Sequence, residues 1–163
     1  MAVANNFSIL IKDKFAIEGE SVEHKGEIPL LSISFSTNRM WRTGSDNTNA
    51  PEGNPDLSDI AIVKEIDKTS PKIFYACCVG QLLGKVVITG WTTTKSAIEP
   101  VTVITLENTA ISSISPGFSE GGASEALTLS YTKLTWLQRD VGVESKEDSK
   151  QENNWDRSSN TGG

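Results

Sequence analysis

The chain has 163 residues, 37% of them hydrophobic and 22% charged, and a net charge of −6. That length fits one domain with a core large enough to need no staples. An acidic chain with no visible basic patch excludes binding dominated by nucleic-acid phosphates.

The first seven residues, Met1 to Phe7, lack a basic stretch followed by an apolar one, so no ordinary signal peptide is expected. No apolar run approaches the roughly 18–20 residues that span a membrane, so no membrane insertion is expected either. Export of such a chain would need a dedicated machine. Phe7 to Lys12 reads as a strand with Phe7, Ile9 and Ile11 on one face. Glu18-Gly19-Glu20-Ser21 breaks the pattern. Ile28 to Ser36 alternates cleanly: Leu31, Ile33 and Phe35 are expected in the core, and Ser32, Ser34 and Ser36 on the other face. That second face is small, polar and uncharged, where Lys and Glu are common on a solvent face, and it reads equally as an ordinary wet face or a functional surface.

Thr37 to Pro55 is rich in Asn, Thr, Ser, Gly and Pro and reads as a loop. It far exceeds the common connection of about 4–6 residues, which suits either a functional or a mobile segment. Trp41 beside Arg39 and Arg42 reads equally as a contact anchor or as packing of the loop onto the body. Leu57 to Ile66 is a third strand, with Ile60, Ile62 and Ile66 in register. The only convincing helix follows, over about residues 70–79. Ser70 is its expected cap, Pro71 suits the first turn, and Gly80 can close it in the left-handed conformation. Ile73, Phe74, Cys77 and Cys78 form its expected buried stripe. These adjacent cysteines are the only two, so they cannot cross-link distant parts of the fold, and a reducing compartment during folding is expected.

Lys85 to Thr94 and Val101 to Ile114 are the fourth and fifth strands, joined by a turn around Ser96 to Pro100. Ser115 to Gly122 reads as a loop. Leu127 to Leu137 is the sixth strand, alternating Leu127, Leu129 and Tyr131 against Thr128, Ser130 and Thr132. Residues 141–163 are expected to be a polar, flexible tail, with Trp155 docking its end. Regular strands with one short helix predict a mainly β protein, a small β-barrel or sandwich, over residues 1–140.

The chain is poor in catalytic equipment. Gly117-Phe118-Ser119-Glu120-Gly121 fits the G-x-S-x-G pattern of a nucleophile elbow. That chemistry needs a strand-to-helix turn and a later histidine. Ser119 has strands on both sides, and the only histidine, His24, precedes it. One histidine and two adjacent cysteines do not make a zinc set, so no metal is expected, and no other cofactor. His24 reads as a surface residue and the cysteines as reduced packing residues. Glu18 and Glu20 read as exposed charge in a turn. A structural or binding protein is favoured over an enzyme. A free-standing β-barrel module binding through Trp41 is the alternative, and an esterase rests on Ser119 alone.

Several pieces together carry a resemblance. Ile17-Glu18-Gly19-Glu20-Ser21, His24-Lys25-Gly26, Ile28 and Leu30 to Phe35 resemble the opening of the Hcp family. These are the haemolysin-coregulated tube proteins of the bacterial type VI secretion system. Asp59 to Gly80, Ala110 to Gly117, Gly121-Gly122 and Leu127 to Trp136 are similar to later parts of the same family, in the same order. Asp140 and Trp155-Asp156 match weaker closing marks. The chain departs from the pattern in loop 37–55, which lacks a glycine- and histidine-rich run, and at Asn154, where a glycine is usual. The resemblance implies a β-barrel with one helix and a homo-hexameric ring. It implies rings stacked into a tube inside a contractile sheath, with a spike protein and effector cargo as further partners. It also implies residence in the bacterial cytoplasm, then export without a signal peptide. Ser32, Ser34 and Ser36 lie on a strand that lines the lumen in relatives, and loop 37–55, with Arg39, Trp41 and Arg42, reaches toward the neighbouring ring.

Overall fold

The computed structural model describes Ala4 and residues 6–94, 97–140 and 150–163. The chain is mainly β with one short helix. In order come β1 (Asn6–Ile11), β2 (Ile28–Leu30), β3 (Ser32–Ser34), β4 (Thr37–Thr43), β5 (Asn49–Leu57), β6 (Ile60–Glu65), α1 (Ser70–Val79), β7 (Leu82–Thr93), β8 (Ile98–Ser119), β9 (Gly122–Ser130), β10 (Lys133–Arg139), β11 (Lys150–Asp156) and β12 (Thr161–Gly162).

One antiparallel path runs β12-β11-β10-β8-β7-β1-β2. A branch leaves β8 through β9 to β6 and β3. The branch exists because β9 and β10 lie end to end along the long β8, separated by Tyr131 and Thr132. Asn108 of β8 stands opposite that break with φ of 48°. β2 and β3 are likewise successive pieces of one stretch, parted at Leu31. The ladders leave the expected barrel open there, and the chain itself spans the opening. Leu31 donates its N–H to the Val63 carbonyl at 2.7 Å, which ties the seam to β6.

Branched aliphatic residues fill the inside. Ile9 and Ile11 of β1, Ile28 of β2, Ile60 and Ile62 of β6, and Leu127 and Leu129 of β9 are all buried. Each sits at a period of two, so each strand turns one face inward. The break at Leu31 shifts that period. Leu30 is buried, but Leu31, expected in the core, is 58% exposed, because a one-residue slip sends a side chain to the other face. Ile33 and Phe35 remain half-buried against the core.

The helix α1 closes one side of the core with Ile73 and Ala76, not with the full expected stripe. Phe74 and Cys78 face solvent and Cys77 is half-buried, so neither cysteine is sealed inside. Ser70 is the first helical residue and not the cap. Thr69 holds the cap position without a side-chain cap bond. Gly80 closes the helix at φ 67°, where a side chain would be strained.

Three further expectations change. Thr37 to Pro55 is no loop but most of the β4–β5 hairpin, a separate two-stranded sheet. Ser115 to Gly122 belongs mostly to β8 and β9, whose ladder runs to Ser119 opposite Gly122 and leaves only Glu120 and Gly121 as the turn. The last fourteen residues, part of the expected tail, are ordered as β11 and β12 against β10. Residues 141–149 of that tail, and residue 96 of the expected turn at Ser96 to Pro100 with residue 95 before it, lie outside the described residues, and the end of that turn, from Ile98 on, is already β8.

Candidate functional site

The β3–β4 and β5–β6 segments form two continuous ribbons that leave the body together. Ser36 donates its N–H to the Ser58 Oγ at 2.8 Å, and Ser58 donates its N–H to the Ser36 carbonyl at 2.9 Å. This clamp fixes the root of the hairpin. Beyond it every residue of β4 is exposed. Arg39, Trp41 and Arg42 are therefore presented outward, with Met40 beside them, and none is drawn into the core. A β-bulge between Asn38 and Met40 twists the ribbon there.

Ser32, Ser34 and Ser36 are all exposed and form one row along β3 and its extension. Ser32 pairs with Val63 and Ser34 with Ala61 across the ladder to β6. The row thus sits on the framework while its hydroxyls face out. Ser36 and Arg39 also meet in a groove of about 380 Å³ at the hairpin root. Phe35, Leu57, Trp136 and Trp155 line it, and the Phe35 and Trp136 rings meet edge-to-face with centroids 5.4 Å apart. Trp136 carries no special signal in the sequence. Its position follows only from β11 pairing Asn153 opposite it.

A second cluster lies beneath the helix. Lys64 and Glu125 are each 1% exposed and stand opposite each other across β6 and β9. Lys64 Nζ is 2.6 Å from Glu125 Oε1 and 3.1 Å from Asp67 Oδ1. Ser70 donates its hydroxyl to Glu125 Oε1 at 2.7 Å and accepts the Asp67 N–H at 3.1 Å. Asp67 in turn accepts the Thr69 N–H at 2.8 Å. Burial pushes the Asp67 carboxyl up, but the Thr69 hydrogen bonds and the Lys64 ammonium together hold it below the ordinary carboxylate value. This network fixes the entry into α1. Its signal in the sequence is Lys64 falling in phase with Ile60 and Ile62.

The remaining candidates are placed elsewhere. Ser119 sits in the β8–β9 turn and donates its hydroxyl to the Gly122 carbonyl at 2.7 Å, so it is a turn brace between two strands. His24 is not a plain surface residue. Its ring is half-buried and stacked on Trp91, with centroids 3.7 Å apart and planes at 11°. Trp91 donates its indole N–H to Ser8 Oγ at 2.9 Å, and the Ser8 hydroxyl donates to Glu27. Glu18 and Glu20 are exposed as expected but flank Gly19, which bridges to Gly26, so the stretch is extended and not a turn; Glu20 pairs with Lys68 at 3.0 Å on the surface. Among the described residues no group of three or more His, Cys, Asp and Glu could hold a metal. No described helix is long and apolar enough to cross a membrane.

The described residues form an antiparallel sheet wrapped on one core, with an exposed hairpin and an exposed serine row. A family model described as "Type VI secretion system effector, Hcp" matches residues 9–137, and the chain belongs to that family, with its β-rich tube-protein fold. No curated protein sequence matches the chain. Solved structures share the fold. A type six secretion system protein superposes with a TM-score of 0.82 at 18% identity, covering 97% of this chain and 99% of its own. Hcp1 from Salmonella typhimurium gives 0.76 at 18% identity, covering 98% and 99%. A type VI secretion system effector from Yersinia pestis gives 0.70 at 22% identity, covering 92% and 98%.

Proposed function

We propose that the chain is a tube subunit that closes into hexameric rings, stacks them, and carries effectors in the lumen. The ring is made in the bacterial cytoplasm and expelled without a signal peptide, with a contractile sheath outside it and a spike at its tip. Membership of the Hcp family supports this reading. The observation that carries it is the shared ribbon β3–β4, which presents a neutral serine row and then an exposed hairpin with Arg39, Trp41 and Arg42. The row suits a lumen wall, because neutral hydroxyls on six copies do not repel one another or a cargo. The hairpin suits contact between rings, because it leaves the body and its aromatic side chain, Trp41, stays exposed among the described residues. No catalytic group is part of this function. Native mass spectrometry tests it: a six-subunit mass is expected at micromolar concentration. A monomer alone would overturn the ring and leave the free-standing binding module.

A further inference from the structure

We infer that the groove between α1 and the β8–β9 turn is the receptor for the β4–β5 hairpin of a second copy of this chain. The inference rests on the stacking reading above and names the surface that reading leaves open.

The groove has a volume of about 350 Å³ and an almost wholly apolar lining. Phe74, Ile114, Pro116 and Phe118 form its walls, with Asp67 and Glu125 also lining it. Phe74 is 54% exposed and Phe118 76% exposed, so two phenyl rings stand at the surface with no covering element among the described residues. Exposed aromatic pairs at a concave site mark an interaction surface. Two carboxylates, Asp67 and Glu125, face one ammonium, Lys64, so the local charge is negative. Glu120 in the adjoining turn adds to it.

The hairpin offers the complement. Met40 and Trp41 are large, apolar and exposed, and Arg39 and Arg42 flank them. An aromatic anchor with cationic neighbours fits an apolar slot with an acidic rim. Of the hairpin's acidic residues, Asp46 is in its turn and Glu52 and Asp56 are on β5, so the only charges on the β4 strand itself are Arg39 and Arg42.

Position supports the same occupant. The hairpin springs from the start of β6, where Ile60 pairs with Leu129. The groove begins just past its end, where Glu65 pairs with Ser124. The two surfaces thus lie at opposite ends of a six-residue strand, roughly 20 Å apart. One chain cannot join them to each other across its own body. A contact between unlike surfaces at opposite ends is heterologous, and it repeats from copy to copy.

A double-mutant cycle on stacking tests the contact. Trp41→Ala and Phe118→Ser should each weaken ring-to-ring association by about tenfold or more, the loss typical of a truncated anchor. The double variant should be no weaker than the worse single one, since both remove one contact. Native mass spectrometry checks that single rings persist throughout. Should Phe118→Ser fold poorly, Glu120→Arg replaces it: alone it should weaken stacking, and Arg42→Glu added to it should restore it. Rings that stack with Phe118→Ser and Glu120→Arg both without effect would overturn the groove and spare the stacking reading. Strictly multiplicative losses in the cycle would do the same. Wild-type rings that never stack would overturn that reading and this contact with it.

Discussion

Lys64 stands where a third isoleucine would fit, in phase with Ile60 and Ile62, yet it is as buried as they are. An ammonium there is tolerable only because Glu125, Asp67, Ser70 and the Glu65 carbonyl surround it. Removing one member of a buried pair leaves the other charge uncompensated, at a cost of about 3–5 kcal/mol. Lys64→Met should therefore lower stability by that amount in urea unfolding. Glu125→Ala should cost less, because Asp67 still faces the ammonium. Replacing both Lys64 and Glu125 by Met should recover much of the loss, and a double variant as unstable as Lys64→Met would contradict the account. The same cluster makes a pH prediction. The Asp67 carboxyl is held below its ordinary value, despite burial, by Thr69 and Lys64. The native state therefore binds that proton less readily than the unfolded chain. Its contribution is fully present above the ordinary value near about 3.9 and is lost as pH falls through the lower folded value. The stability difference between wild type and Asp67→Asn should be largest at neutral pH and shrink below about pH 4. A difference unchanged between pH 7 and pH 3 would show that the carboxylate charge plays no part.

The β4–β5 hairpin is an element without a core. Almost all of it is exposed, and it forms a sheet of its own. Removing residues 39–55 and rejoining the ribbons with a short turn should leave thermal stability nearly unchanged, within about 0.5 kcal/mol, as for other surface changes. Single rings should persist while stacking is lost, read by electron microscopy and native mass. Variants that fall to monomers would place the hairpin in the contact within a ring. The residue pattern of this element is that of a loop, because Pro51, Gly53, Asn54 and Pro55 lie in β5 and all disfavour strands. Nothing in residue pattern alone marks a ribbon held by its root. β11 escaped for a related reason: Lys150 to Asn154 is polar on both faces, so it shows no alternation, and only Trp155 betrays an inward side. Elements with one buried face were legible. Ile9 and Ile11, Ile60 and Ile62, and Leu127 and Leu129 announce themselves by period. Of the candidate site, the serine row could be read from its spacing, whereas the groove at the hairpin root could not, since Trp136 and Trp155 meet Phe35 only through the fold.

At the scale of the whole molecule, the proposed ring raises the question of how a chain of net charge −6 would gather in identical copies. Like charges disfavour association, so surfaces that face one another around an axis need to be neutral or complementary. The Ser32, Ser34 and Ser36 row is neutral, and the strand that bears it is hydrogen-bonded along its edge to β6. A cyclic arrangement that turns this row inward brings together the part of the surface with least mutual repulsion, and closure ends growth within the ring. Ser34 is the residue to change. It is exposed, it sits opposite Ala61, and its side chain takes no part in the core. Ser34→Gln adds bulk without charge, so folding and ring mass should stay as they are. Cargo held by the row should be displaced, because a longer side chain on every copy narrows the passage and replaces a hydroxyl contact. Co-purification of an effector with wild-type and variant rings measures this, and a several-fold fall in retained cargo is expected. Intact variant rings with undiminished cargo would remove the row from the lumen wall while leaving the ring itself standing.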